Sequence, residues 1–210
     1  MTNPTGDTAY YRREAIGAFA HDLRTPLTAL RMALDIGRQP GDRADAVVML
    51  DEQLAAMVDG ALGEIERLVD ALQESSRIER GKLRLERGPT ALTEVLAHAA
   101  GLAGPQFHIE REPPGTSGPW DAGRLAGAIA SVATAVARLA GAESAAIAAR
   151  KGAAIELEIR AGEPADDVAP FAADAGFGYF YARQILEAMG ATVTDARAAG
   201  FAAVRISLPG

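Results

Sequence analysis

Cysteine is absent from all 210 residues of the chain. Its absence excludes a disulfide framework, and with it any site that needs a cysteine nucleophile or a thiolate metal ligand. An excess of positive charge is also missing, because 21 lysine and arginine residues stand against 28 aspartate and glutamate residues. The resulting net charge of −7 argues against broad electrostatic attraction to nucleic acid, so no nucleic-acid partner is expected.

Long apolar runs are lacking as well. The longest runs are rich in alanine and interrupted by charged residues, so no segment is expected to span a bilayer. Residues 1–7 have neither the basic start nor the apolar core of a signal peptide. We therefore expect a soluble, cytoplasmic protein with no membrane partner, whose length suffices for one large or two small domains.

The most informative stretch is residues 19–28. Apolar residues around it recur at steps of three and four, which predicts an amphipathic helix whose stripe faces a partner helix. At about 100° per residue, His21 and Thr25 lie roughly 160° from the centre of that stripe. Asp22 and Arg24 flank the histidine, so four polar groups share an exposed face. The stripe consists of Ile16, Phe19, Leu23, Leu27, Leu30 and Leu34.

Pro26 makes this helix unusual, because an interior proline removes a backbone hydrogen bond and kinks the helix at a cost of about 3 kcal/mol. On residue types alone, a surface histidine beside an aspartate is usually just a solvated side chain. The string from His21 to Leu27, His-Asp-Leu-Arg-Thr-Pro-Leu, however, resembles the H-box of two-component sensor histidine kinases. The resemblance implies that His21 is a phosphoryl acceptor and donor.

The first part of the chain is expected to form a helical hairpin. Residues 1–9 are predicted to be a mobile polar tail and residues 10–37 a helix, followed by helix-stop and helix-start signals at residues 38–42. Because a hairpin alone has too little core, we expect a homodimer with a four-helix bundle; the alternative is a monomeric hairpin packed on the rest of the chain. The second helix carries a repeating apolar set: Val47, Leu50, Leu54, Met57, Ala61, Ile65, Leu68 and Leu72.

The second part of the chain is expected to be an α+β sandwich. Gly81 should end the second helix, and the alternation at Leu83 and Leu85 predicts a half-buried strand. The stretch 72–85 also resembles the histidine-kinase linker between dimerisation helix and ATP-binding domain, which gives domains at residues 10–82 and 83–210. Helices are predicted near residues 91–102, 120–139 and 178–189, a loop at 113–119, and strands near 106–111, 145–149, 154–160, 192–195 and 202–208.

Residues 176–191 and 206–209 resemble the glycine box and the closing hairpin of the histidine-kinase nucleotide-binding domain. In that register, Ser131 and Ala135 stand where the family has two asparagines, and an alanine methyl cannot coordinate magnesium. Arg160 stands where an aspartate binds adenine, and a guanidinium has no acceptor. Residues 163–175 are too few for the family's mobile lid. The resemblance therefore implies a degenerate ATP-binding domain that holds no cofactor.

An acceptor histidine beside a degenerate nucleotide site resembles histidine phosphotransferases of the ChpT type. The expected donor is the phospho-aspartate of a response-regulator receiver domain, which would also supply Mg²⁺. In this interpretation Asp22 orients the imidazole and Arg24 offsets phosphate charge. Thr25, at the family's position for orienting a hydrolytic water, leaves phosphatase activity open. The alternatives are a divergent ATP-dependent kinase and a non-catalytic module that binds response regulators.

Overall fold

The structure is a computed structural model, and it describes residues 4–37, 51–111, 115–171 and 173–209. The chain divides into two compact units, Met1–Gln73 and Glu74–Gly210.

Unit 1 contains two long helices, α1 over Pro4–Gly37 and α2, which begins at Glu52 and ends at Glu79 in unit 2. The predicted tail is wrong from Pro4 onward, because residues 4–9 are the first turns of α1. Proline is tolerated at the first helical position, where its missing N–H would have no intrahelical partner. The predicted turn at residues 38–42, and the apolar positions Val47 and Leu50, lie outside the described residues.

The buried stripe of α1 differs from the predicted one. Ala18 and Ala33 are buried, together with Pro26, whereas three members of the predicted stripe remain largely exposed. Helical spacing identifies an apolar face, but it does not show which part of a broad face is covered within one chain. Small side chains lie at the covered centre, and larger ones lie beside it. The exposed fractions are 61% for Ile16, 50% for Leu27 and 42% for Leu34.

Unit 2 contains a five-stranded sheet and a separate two-stranded ribbon. The ribbon pairs β1, Gly88–Ala91, with β3, Ser117–Trp120, in antiparallel register. The sheet has the order β2-β4-β5-β7-β6, in which β2 and β4 are parallel and the other neighbours antiparallel. Its strands are β2 at Phe107–Arg111, β4 at Ala145–Lys151, β5 at Ile155–Ala161, β6 at Thr192–Ala198 and β7 at Phe201–Leu208.

Three helices complete unit 2: α3 at Leu92–Ala103, α4 at Ala122–Ala140 and α5 at Phe177–Ala188. Helix α4 packs against α3, α5 and the strands β4, β5 and β7, so it is the centre of the core. Asp121 caps it by accepting a hydrogen bond from the Arg124 backbone N–H at 3.1 Å. Among the described helices α4 alone is long and apolar enough to cross a membrane, and most of it is buried in this core.

The segment around Leu83 and Leu85 is not a strand. Both leucines are half-buried against the core, as their alternation indicates, but they have no strand partner and the first strand begins at Gly88. The predicted loop at residues 113–119 is also partly wrong, because β3 begins at Ser117. The other predicted helices and strands of unit 2 are present with bounds shifted by a few residues.

The last turns of α2 belong to unit 2. The Ser75 hydroxyl donates to the Gln184 side chain of α5 at 2.6 Å. Glu74 accepts hydrogen bonds from Tyr181 of α5 and, at 2.8 Å, from Arg124 of α4. These contacts explain why the boundary between the units lies after Gln73 rather than after the end of the helix.

Candidate functional site

His21 presents its imidazole to solvent. Its side chain is 70% exposed, and the Nδ1 atom lies 3.3 Å from an Asp22 carboxylate oxygen. An Nδ1–H that donates toward a carboxylate leaves Nε2 with the free lone pair, because a neutral imidazole has one donor and one acceptor nitrogen. The arrangement therefore offers a nucleophilic nitrogen to a partner that approaches from solvent.

Two other polar residues of the motif, Arg24 and Thr25, share a shallow surface depression with this imidazole, whereas Asp22 does not line it. Arg24 and Thr25 are exposed along its wall, as the helical spacing predicts. The Thr28 hydroxyl donates to the Arg24 backbone carbonyl at 2.9 Å. The depression is lined by His21, Arg24, Thr25, Thr28, Ala29 and Met32.

Pro26 lies on the opposite, buried side of the helix. The helix continues through it, from Pro4 to Gly37. Since proline has no N–H, the Asp22 carbonyl four residues earlier loses its usual helical donor. The proline therefore removes one backbone hydrogen bond from α1 at the position of His21 and Asp22.

Two residues of α4 stand, in the sequence register, where the family has its two asparagines. Ser131 and Ala135 lie on one face of α4, and Ala135 is buried with 4% of its surface exposed. A buried methyl group offers neither the oxygen that a magnesium ion requires nor the space for one. This part of the family's pattern cannot be formed by α4.

Arg160 lies on the partly exposed face of β5. Side chains alternate along β5, and Arg160 lies on the face opposite Ile159 and Ala161. Its guanidinium is paired with Glu110 of β2 at 3.2 Å. The residue that faces the core at the end of β5 is Ala161, which is 6% exposed. A guanidinium that is paired with a carboxylate offers no acceptor for an adenine amino group.

Two glycines of the family pattern have a structural reason in this fold. Gly162 has a φ of +80°, and a Cβ added to it would lie 1.8 Å from the Gly200 carbonyl oxygen. Gly176, which precedes α5, has a φ of +82°. Both positions favour glycine because of the backbone alone. Their presence therefore does not indicate a bound nucleotide.

The β5–α5 connection, residues 162–176, is bonded to the strand at the sheet edge. Ala169 and Arg197 exchange two backbone hydrogen bonds of 2.9 and 2.8 Å. The Phe171 N–H donates to an Asp195 carboxylate oxygen at 2.7 Å. Asp174 is paired with the Arg197 side chain, so that β6 holds the connection at three residues.

Asp195 is the centre of a polar cluster that the sequence analysis missed. Its side chain is 5% exposed and accepts from Arg183 at 2.9 Å and from the Tyr179 hydroxyl. Burial, reinforced by the Asp195 charge, raises the pKa of Tyr179. An acidic residue in the middle of the strand Thr192–Ala198 is the sequence signal for this cluster.

A second cluster was also missed, where α2 meets α4 and α5. Burial works against ionisation of Glu74, but bonds from Tyr181 and Arg124 outweigh it and hold the pKa below its usual 4.5. Burial acts likewise on Asp121, and hydrogen bonds from Glu86 and Arg124 lower its pKa below 3.8. Both carboxylates are therefore charged in the folded protein at neutral pH.

Comparison with known proteins finds a helical phospho-acceptor segment followed by an α/β unit, in the same order as in this chain. The family model of the His Kinase A (phospho-acceptor) domain matches residues 11–81. The chain is 32% identical over 118 residues to the probable sensor histidine kinase TcrY of Mycobacterium tuberculosis. It is 29% identical over 96 residues to the signal transduction histidine-protein kinase BaeS of Escherichia coli. The matched parts are 54% and 46% of this chain, but 24% and 19% of those two proteins.

Solved structures share the fold over most of the chain. The Acinetobacter baumannii histidine kinase AdeS matches with a TM-score of 0.67 and 21% identity, over 90% of this chain and 96% of that one. The histidine kinase ThkA, solved in complex with the response regulator protein TrrA, matches with a TM-score of 0.57 and 16% identity, over 90% of this chain and 59% of that one. Together the findings support a relationship to two-component histidine kinases: a phospho-acceptor helical hairpin followed by an α/β unit like the kinase ATP-binding domain.

Proposed function

We propose that this protein is a histidine phosphotransferase, which moves a phosphoryl group between a response-regulator aspartate and His21 without binding ATP. The observation that carries the proposal is the contrast between the two units. An exposed imidazole lies beside a carboxylate within the segment that matches the phospho-acceptor domain. In the unit that follows, Ala135 and Arg160 stand where the resemblance expects a magnesium-binding asparagine and an adenine-binding aspartate.

The transfer needs a donor that arrives from outside the chain. His21 attacks the phosphorus of the receiver's aspartyl phosphate through a ring nitrogen, so that an N–P bond forms and the acyl O–P bond breaks. The aspartate leaves as a carboxylate, and the reverse reaction returns the phosphoryl group. The Mg²⁺ that neutralises charge in such transfers is held by the receiver domain.

Neighbouring side chains assist each stage of this reaction. Asp22 fixes the tautomer and stabilises the positive charge on the imidazole during transfer. Arg24, exposed on the same surface, offsets charge on the phosphoryl oxygens. Thr25 lines the same depression and is placed to orient a water molecule, which gives the protein a phosphatase activity toward the same partner.

The partner of the helical hairpin is a second copy of the chain. Ile16, Leu27 and Leu34 form an exposed stripe on α1. Leu62, Val69 and Leu72 follow helical spacing on α2, with exposed fractions of 46%, 39% and 39%. Burying these side chains in a four-helix bundle removes apolar surface from water and completes the core that a single hairpin lacks.

The second candidate function is a divergent ATP-dependent histidine kinase. It is favoured by the relatives TcrY and BaeS, which are named as histidine kinases, and by the fold of unit 2. Against it stand the buried Ala135 methyl and the Arg160 guanidinium, which is paired with Glu110. A third reading, a module that binds response regulators without chemistry, leaves the intact polar group around His21 unexplained.

The test supplies phosphate from two sources in parallel. One sample receives radiolabelled ATP with Mg²⁺, and the other receives a panel of receiver domains phosphorylated on aspartate. The proposal expects label on the protein only in the second sample. Labelling from ATP alone would show that the protein is a kinase, and no labelling from any receiver would favour the binding module.

A further inference from the structure

Residues 77–87, at the start of unit 2, carry a concentration of positive charge. Five of these residues are cationic and only two, Glu79 and Glu86, are acidic, although the whole chain has a net charge of −7. All five cationic residues are exposed. We call residues 77–87 the basic segment, and its cations are Arg77, Arg80, Lys82, Arg84 and Arg87.

The fold holds the basic segment in place on the surface. The Lys82 N–H donates to the Arg77 carbonyl at 2.8 Å, which closes the turn after α2. Beyond this turn, Leu83 and Leu85 are half-buried against the core, whereas Lys82 and Arg84 are exposed. The leucines therefore anchor the backbone, and the cations are presented to solvent from an anchored stretch instead of a free chain end.

The cations of the basic segment are not neutralised in the way that other arginines of unit 2 are. In the part of the chain that the structure describes, none of the five is in an ion pair with a carboxylate. Like charges that are close together repel, so an anion that approaches this surface gains attraction from several of them. The arginines of unit 2 that are paired with carboxylates include Arg124, Arg160, Arg183, Arg197 and Arg205.

The size and surroundings of the basic segment favour a short acidic stretch of protein over a long polyanion. Residues 82–87 span roughly 20 Å at about 3.3 Å per residue. Glu79 and Glu86 are exposed among the cations, and the rest of the chain carries an excess of negative charge. A nucleic acid or an anionic membrane carries dense charge beyond the length of this segment, so it would also meet these carboxylates.

We propose that the basic segment is a docking surface for an acidic segment of a partner protein. Carboxylates of the partner pair with Lys82 and with the guanidinium groups beside it, which can bind a carboxylate through two hydrogen bonds. Salt screens such exposed pairs, so the affinity falls as the ionic strength rises. The proposal goes beyond the proposed function and does not depend on phosphotransfer at His21.

Fluorescence anisotropy with the full chain tests the docking surface. The probe is a fluorescent decaglutamate peptide, and the competing probes are a short DNA duplex and vesicles of phosphatidylserine and phosphatidylcholine. The proposal expects the peptide to bind in low salt, more tightly than either polyanion at an equal concentration of negative charge. No binding of the peptide, or tighter binding of DNA or vesicles, would overturn the proposal.

A charge-reversal variant locates the binding. K82E/R84E should raise the dissociation constant for the peptide at least about tenfold, because two attractions become repulsions. The matched control is R150E/K151E, which reverses one arginine and one lysine that are exposed in the β4–β5 hairpin. Both variants change the net charge equally, so the control should raise the dissociation constant less than about twofold, as distant charges are screened.

The comparison between the variants separates the basic segment from the net charge. Equal weakening in K82E/R84E and R150E/K151E would show that net charge sets the affinity, and would overturn the proposal. Urea unfolding followed through Trp120 should give both variants the stability of the wild type, since the substituted side chains are exposed.

Discussion

The Asp195 carboxylate is expected to be a main source of stability in unit 2. It is 5% exposed and accepts hydrogen bonds from three donors: the Arg183 and Tyr179 side chains of α5, and the Phe171 backbone N–H. In D195A, the Tyr179 hydroxyl and the Phe171 N–H lose their acceptor. Arg183 keeps its second partner, Glu187, at 2.8 Å.

The magnitude follows from these contacts. Each unsatisfied buried donor costs about 1–3 kcal/mol, and Arg183 loses only part of its pairing. We therefore expect D195A to lower the free energy of unfolding by about 3–4 kcal/mol, within the range for breaking a buried pair. The control E158A removes a pair with Arg205 on the open face of the sheet, and it should cost about 0–1 kcal/mol.

The chain provides its own probe for this measurement. Its single tryptophan, Trp120, is 1% exposed and lies in unit 2, so its fluorescence reports the unfolding of that unit in urea. A loss in D195A that is no larger than the loss in E158A would refute the reasoning. It would mean that the donors around Asp195 find other acceptors, and that the cluster does not hold α5, β6 and the connection together.

Three other predictions follow from contacts in the two units. G162A should destabilise unit 2 by about 2–4 kcal/mol, because the added Cβ would clash with the Gly200 carbonyl oxygen and because the φ at this position is positive. Urea unfolding measures the loss, and the control is G63A, where an added Cβ meets no other atom within 4 Å. Because folding lowers the pKa values of Glu74 and Asp121, these carboxylates stabilise the fold above their ordinary pKa values, and the stabilisation is lost as the pH falls below them. Thermal unfolding scans should therefore show a melting temperature that falls as the pH drops below 4.5. L27E/L34E should shift the mass in light scattering from dimer to monomer, and an unchanged mass would contradict the proposed bundle.

Much of the architecture of unit 2 could be predicted from the sequence, because its elements have strong local patterns. The alternation in β5 and the cap at Asp121 are examples, and both are present. The strand expected at Leu83 failed for a physical reason: alternation predicts which side chains are buried, but a strand also needs a bonded neighbour. Tertiary packing decides which segments gain such a neighbour, and the first strand that has one begins at Gly88.

The acceptor histidine could be identified from the sequence with more detail than any other site. The angle between His21 and the apolar stripe predicts exposure, and the side chain is exposed. Its chemical role still depends on the resemblance and stays a prediction. The register that places Arg160 at the family's adenine-binding position also stays a prediction, because a shift of one residue along a strand changes the face of the sheet.

The clusters around Asp195 and Glu74 could not be predicted from the sequence. Their members come from segments that are far apart in the chain, such as Glu74 and Tyr181. No local periodicity connects such residues. The burial that makes these clusters strong also depends on how the helices pack on the sheet, which the sequence pattern does not specify.

The most direct test of the central claim is the transfer of label from a phosphorylated receiver domain to a defined histidine. Wild type, H21A and the control H98A are incubated with labelled receiver and no ATP, and the modified residue is identified by mass spectrometry under alkaline conditions. The account predicts phosphohistidine at position 21 in wild type and in H98A, and none in H21A. Label that persists in H21A, or label that requires ATP, would contradict it.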